Sequence, residues 1–150
     1  MAGLYFEEFE VGKVYTHELG RTVTEADNVL FTCLTMNTQT LHLDEEFAKT
    51  TQHGQRIVNS MFTLGLLVGM TVTELTLGTT LGNLSMTNIR FPKPVFHGDT
   101  IRAETTILEK TASKSKPDRG VVGFAHRAIN QRNEEVAYCE RVGMMMCRPA

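Results

Sequence analysis

No stretch of this chain is long and apolar enough to cross a membrane as a helix. Its greasiest run, Met61 to Met70, is interrupted by Thr63, Gly65 and Gly69. It reaches only about half of the roughly 20 residues that a span requires, and reads as a buried helix. No export is expected either, because the first ten residues carry Glu7, Glu8 and Glu10 where a signal peptide would need a basic end and an apolar run. Cysteine is scarce. Cys33, Cys139 and Cys147 are odd in number and lack CxxC spacing, and their apolar surroundings read as those of reduced core thiols. The expected location is the cytoplasm, with no membrane partner.

Charge of one sign is lacking too. The formal net charge is −2, and Lys and Arg nowhere gather with aromatics as a nucleic-acid face would demand. His17, His53, His97 and His126 stand without HxH or HExxH spacing, so no metal site is expected. There is no glycine-rich phosphate loop, and Gly65 and Gly69 inside a helical run do not replace one. No nucleotide or redox cofactor is expected. Neither a repeat nor a linker interrupts the 150 residues, a length suited to one domain over 1–150.

What is present has an ordered pattern. Val14 to Val23 reads as a strand, and Thr24-Glu25-Ala26-Asp27 as a capping box opening a helix. Val29, Leu30, Cys33 and Leu34 recur at helical spacing, which predicts that this face meets the core. A polar loop, Asn37 to Asp44, follows, and Asp44 can cap a short helix through Ala48. Ile57 to Leu75 is apolar on more than one face, as a central buried helix should be. Then Thr79 to Phe91, Thr100 to Glu109, Gly120 to Asn130 and Glu135 to Cys147 read as strands, with turns at 113–119 and 131–134. A strand, then helices, then four strands in succession predicts an α+β fold whose antiparallel sheet covers one long helix.

Chemistry is expected in the polar loop. His42 is the side chain suited to moving protons near neutral pH, with Asn37 five residues before it. Taken alone, a loop histidine is more often a structural one bonded to the backbone.

Three segments carry a resemblance. Asn37 through Phe47-Ala48 contains H-x-D-x-x-F-A, Arg56-Ile57-Val58-Asn59-Ser60 precedes the long helix, and Phe91 to Thr100 contains P-V-x-x-G-D-T. In order and over nearly the whole chain, these resemble the MaoC-like dehydratases, which include the (R)-specific enoyl-CoA hydratases. The resemblance implies a hot-dog fold, a homodimer with active sites at its interface, and reversible addition of water to an enoyl thioester. It also implies an Asp and a His five residues later sharing the catalytic water. His42 falls on that histidine, and Asn37 falls where the aspartate belongs.

An amide cannot accept the proton that a carboxylate accepts. Three explanations stand: His42 works alone while Asn37 holds the water; the protein binds thioesters or completes a catalytic homologue without turnover; or another carboxylate substitutes. Asp44 and Glu45 are near in sequence, although capping suits them better. Asn59-Ser60 replaces the His-Gly of many relatives, and the Ser60 N–H at the helix start can still hold the thioester carbonyl. Arg56, Arg90 and Lys93 are the cations in motif positions that could meet CoA phosphates. One of them facing the pocket would suit a C5 dicarboxylic acyl group of the mesaconyl or itaconyl kind. Thioester hydrolysis is the related activity on the same fold.

Overall fold

The computed structural model describes residues 3–149; Met1 and Ala2, which begin the acidic first segment, and Ala150 lie outside the described residues. Five strands form one antiparallel sheet: β1 (Val14–Thr22), β2 (Thr80–Arg90), β3 (Thr100–Ala112), β4 (Arg119–Ile129) and β5 (Glu135–Met146), in the order β1-β3-β4-β5-β2. The helices are α1 (Glu25–Leu34), α2 (Thr40–Leu43), α3 (Glu45–Lys49) and α4 (Ser60–Leu75). Among the described residues, no helix is long and apolar enough to cross a membrane.

Helix α4 packs on β1, β3, β4 and β5. The two expected hairpin turns join β3 to β4 and β4 to β5, with ladders that run continuously but for single irregularities. Thr24 caps α1 through the Asp27 N–H, and the Asp27 carboxylate returns to the Thr24 N–H at 2.8 Å, completing the box. Three expectations need correction. The central helix starts at Ser60 rather than Ile57, because Ile57 is held extended in a bridge to Phe96 and Asn59 takes the cap. Cys33 is exposed, while Cys139 is buried and Cys147 half-buried. The buried residues of α1 are Asn28 and Thr32, and Leu30 and Leu34 face outward at 62% and 73% exposure.

The side chains between α4 and the sheet form two apolar clusters. One gathers Leu64, Leu67 and Met70 of α4 with Ile101, Ala103, Ala128 and Cys139. The other holds Phe9, Leu75, Ile107, Val122, Phe124 and Met145. Strand periodicity places one polar residue between them on each inner strand: Thr105 between Ala103 and Ile107, His126 between Phe124 and Ala128, Arg141 between Cys139 and Met145. These residues bond in a line. Arg141 Nε donates to His126 Nε2 at 3.0 Å, which leaves His126 Nδ1 as the donor to Thr105 Oγ1 at 2.8 Å. The Thr105 hydroxyl then donates to His17 Nε2 at 2.8 Å, and His17 Nδ1 donates to Glu74 of α4 at 2.9 Å. Every proton points from the guanidinium toward the carboxylate, so each neutral member uses one donor and one acceptor. Arg141 also donates to Asn83 Oδ1 on β2 at 2.8 Å.

Burial, together with the Arg141 charge, pushes the His126 ring down to about 3. An unfolded histidine protonates near 6.5, so between these values the unfolded state holds the extra proton and stability falls as pH drops. In urea titrations between pH 6.5 and 5, above the range where carboxylates titrate, the wild type loses up to about 1.4 kcal/mol per pH unit from this ring. His126→Gln, which keeps one acceptor and one donor, reduces that slope. An unchanged slope in the variant would refute the assignment.

Candidate active site

The carbonyl of Ile57 is the point from which the site is built. It lies 2.8 Å from His42 Nδ1. A carbonyl only accepts, so Nδ1 carries the proton, and in the neutral ring Nε2 is left as a base. His42 sits in the one-turn helix α2 rather than in an open loop, and it is 8% exposed. Arg56 and Val58 flank the accepting carbonyl, and α4 begins three residues after Ile57.

At that beginning, Asn59 caps the helix: its Oδ1 accepts from the Met61 N–H at 3.0 Å and its Nδ2 donates to Thr32 Oγ1 at 3.4 Å. The Asn59 side chain is therefore buried and committed to protein partners. The N–H of Ser60, the first helical residue, has no i−4 helical carbonyl to reach. It carries the positive end of a 16-residue helix. Ser60 lines a cavity of about 320 Å³ with Val58, Thr63, Phe91, Lys93 and Val95, within the ~300–1,000 Å³ usual for small-molecule sites. His42 and Asn37 lie outside its wall in the single chain.

Asn37 is half-buried, and its Oδ1 accepts from the Gln39 N–H at 3.0 Å while its own N–H donates to the Thr32 carbonyl at 3.0 Å. This turn hands the chain from α1 to α2. Its neighbour Met36 has φ 56°, a left-handed conformation that ends α1 and that a side chain adopts at a cost. The nearby carboxylates are occupied: Asp44 caps α3 by accepting from the Phe47 N–H, and Glu45 binds Arg56.

Of the three motif cations, Arg56 is clamped between Glu45 at 2.6 Å and Glu25 at 2.7 Å, tying α3 to α1. These bonds raise its own pKa and lower those of both carboxylates. Arg90 lies over the Tyr138 ring at 3.7 Å and bonds Glu135. Lys93 is the one of the three that lines the cavity, and it also borders a depression with Gln55 and Arg132. Asp99 of the P-V-x-x-G-D-T turn accepts from the Phe96 N–H, from Gln131 and from Arg132, and Gly98 supplies the φ of 93° that the turn demands.

With this geometry established, comparison with known proteins identifies the family. The model of the MaoC-like domain matches residues 7–128. The chain belongs to the MaoC-like domain family. It is 33% identical over 135 residues to a mesaconyl-CoA hydratase of Cereibacter sphaeroides, covering 90% of this chain and 39% of that protein. It is 34% identical over 104 residues to an (R)-specific enoyl-CoA hydratase of Rhodospirillum rubrum, covering 69% of each. A Mycobacterium tuberculosis protein described as a double hot-dog fold superposes with a TM-score of 0.88 at 21% identity, over 98% of this chain and 45% of that one. The fold of this MaoC-like domain is the hot-dog fold, and the chain spans well under half the length of the mesaconyl-CoA hydratase.

Sequence reasoning overlooked Asn28 in this MaoC-like domain. Its signal was a polar pair, Asn28 and Thr32, one turn apart on α1, which the neighbouring apolar pattern masked. Both are fully buried. Asn59→Ala removes the cap and is expected to cost about 1 kcal/mol of stability, read as a lower urea midpoint; Asn59→Ser should recover most of it.

Proposed function

We propose that this MaoC-like domain is a hydro-lyase that reversibly adds water to a 2-enoyl-CoA thioester, forming a 3-hydroxyacyl-CoA. The observation that carries the reading is the Ile57 carbonyl, three residues ahead of α4, which holds His42 Nδ1–H and leaves Nε2 as the basic nitrogen of the neutral ring. Names of relatives support it: mesaconyl-CoA hydratase, (R)-specific enoyl-CoA hydratase and, in Methylorubrum extorquens, 3-hydroxybutyryl-CoA dehydratase.

In this reading His42 Nε2 takes a proton from water as the water oxygen bonds to C3. The displaced electron pair moves onto the thioester oxygen as an enolate, held by the Ser60 N–H and the helix dipole. The imidazolium then returns the proton to C2. Asn37, whose Oδ1 is engaged by Gln39, orients the water through its remaining hydrogen-bonding capacity. No added cofactor takes part. Lys93 on the cavity wall would pair with a second carboxylate on the acyl chain, which favours a C5 dicarboxylic substrate. Arg56 and Arg90 act in this reading through the segments they brace, and Asn59 through the cap.

The working unit proposed is a cytoplasmic homodimer. Strand β2, of 11 residues, is an edge that among the described residues pairs only with β5 and leaves Leu81, Leu84 and Ile89 exposed. Such an open edge is a pairing template. Leu30, Leu34, Met36 and Met61 are exposed as well, and Asn37 and His42 lie outside the single-chain cavity, so a second copy would complete the site. Light scattering should give twice the monomer mass, and Leu84→Lys should reduce it to one; a monomeric wild type would exclude the dimer.

The amide at position 37 favours one rival, a thioester binder or an inactive half of a hetero-oligomer. Hydration of crotonyl-, mesaconyl- and itaconyl-CoA, followed by loss of conjugated-thioester absorbance, separates them. Turnover that His42→Ala reduces by about 100-fold or more supports the lyase. Tight binding by calorimetry without turnover, with activity gained in Asn37→Asp, supports the binder. Release of free CoA would reveal a thioesterase instead.

A further inference from the structure

Asn28 lies on α1, outside every motif of the site, and is 0% exposed. Its Oδ1 accepts from the Asn59 N–H at 2.8 Å, at the cap of α4. Its Nδ2 donates to the Ile57 carbonyl at 3.1 Å, the same oxygen that receives His42 Nδ1–H. That nitrogen also lies 3.0 Å from His97 Nε2 and 3.4 Å from the His42 carbonyl. The orientation of the carboxamide is forced. Flipped, it would set its NH2 against the Asn59 N–H and its oxygen against the Ile57 carbonyl. His97 must accept from Asn28 and so is neutral, in agreement with the burial that lowers its pKa.

We infer that Asn28 is a positioning residue that sets both halves of the site at once: it holds in place the Ile57 carbonyl that keeps His42 in the Nδ1–H tautomer, and through the Asn59 N–H it fixes the start of α4. The inference rests on the hydro-lyase reading for its kinetic consequence, but not for its structural one. One rigid amide contacts the segment that orients the base and the segment that presents the Ser60 N–H. The distance between base and oxyanion donor is therefore set by a group that touches neither water nor thioester. A leucine at this position would fill the volume, leave the buried Asn59 N–H without its acceptor and take a donor from the Ile57 and His42 carbonyls and from His97. Aspartate would keep an oxygen for the Asn59 N–H, turn the His97 ring from acceptor to donor, and lose the donation to Ile57.

The test compares wild type, Asn28→Ala and Asn28→Asp in three measurements: thermal unfolding, the tautomer of His42 by nitrogen-15 NMR of labelled histidines, and crotonyl-CoA hydration. His42→Ala assigns the His42 signal. The wild type is expected to show only the Nδ1–H form of the neutral ring. In each folded variant the Nε2–H form should appear, with kcat lowered about 100-fold and KM changed by no more than about threefold. Should Asn28→Ala fail to fold, Asn28→Asp and the wild-type tautomer still decide. A wild-type tautomer in folded variants, or a raised KM at unchanged kcat, overturns the inference. If the wild type hydrates nothing, the hydro-lyase reading falls, while the tautomer comparison still supports or overturns the positioning role.

Discussion

Burial of α4 against the sheet is the constraint on which the remainder of the structure depends. Leu64, Leu67, Met70 and Leu75 are each no more than 5% exposed, and burying a side chain of this size contributes about 1.5–3 kcal/mol. The helix therefore cannot slide or rotate without exposing a row of apolar side chains. Its N-terminus is fixed as a consequence, and so is the direction in which the Ser60 N–H points.

A core made only of apolar contacts would tolerate more than one arrangement of helix on sheet. The polar line from Arg141 to Glu74 narrows that choice. Its donors and acceptors match only when Thr105, His126 and Arg141 occupy neighbouring positions on β3, β4 and β5 and Glu74 stands above His17. A shift of one residue in any strand would turn its member to the other face of the sheet. Arg141 has no carboxylate neighbour in this line, and its Nη2 has no partner among the described residues. Its charge is offset by the Asn83 and His126 acceptors and by the Phe124 ring 4.8 Å away.

The site inherits rigidity from both features. The segment entering α4 is extended by the Ile57 to Phe96 bridge, and Val58 donates to the Val95 carbonyl at 2.8 Å. The P-V-x-x-G-D-T turn, knotted around Asp99, is thereby joined to the helix start. Arg56 performs the same service on the other side by holding Glu25 and Glu45. Groups that looked like ligands for a charged substrate thus spend their charge on architecture, and Lys93 stays at the cavity.

By itself the sequence determined the order of elements, the strand boundaries to within a few residues, the capping box at Thr24 and the loop bearing His42. These rest on periodicity and local hydrogen bonding, which act between near neighbours in the chain. Tertiary structure decided which face of α1 is inward. Spacing favoured Leu30 and Leu34, yet the carbonyl of Ile57 and the N–H of Asn59 needed partners, and Asn28 supplies them from 29 and 31 residues away. It decided also that Arg56 is clamped, that Cys33 is exposed, and that His42 offers Nε2 rather than Nδ1. Each depends on a buried polar group finding its complement across the fold, a requirement that no local pattern records.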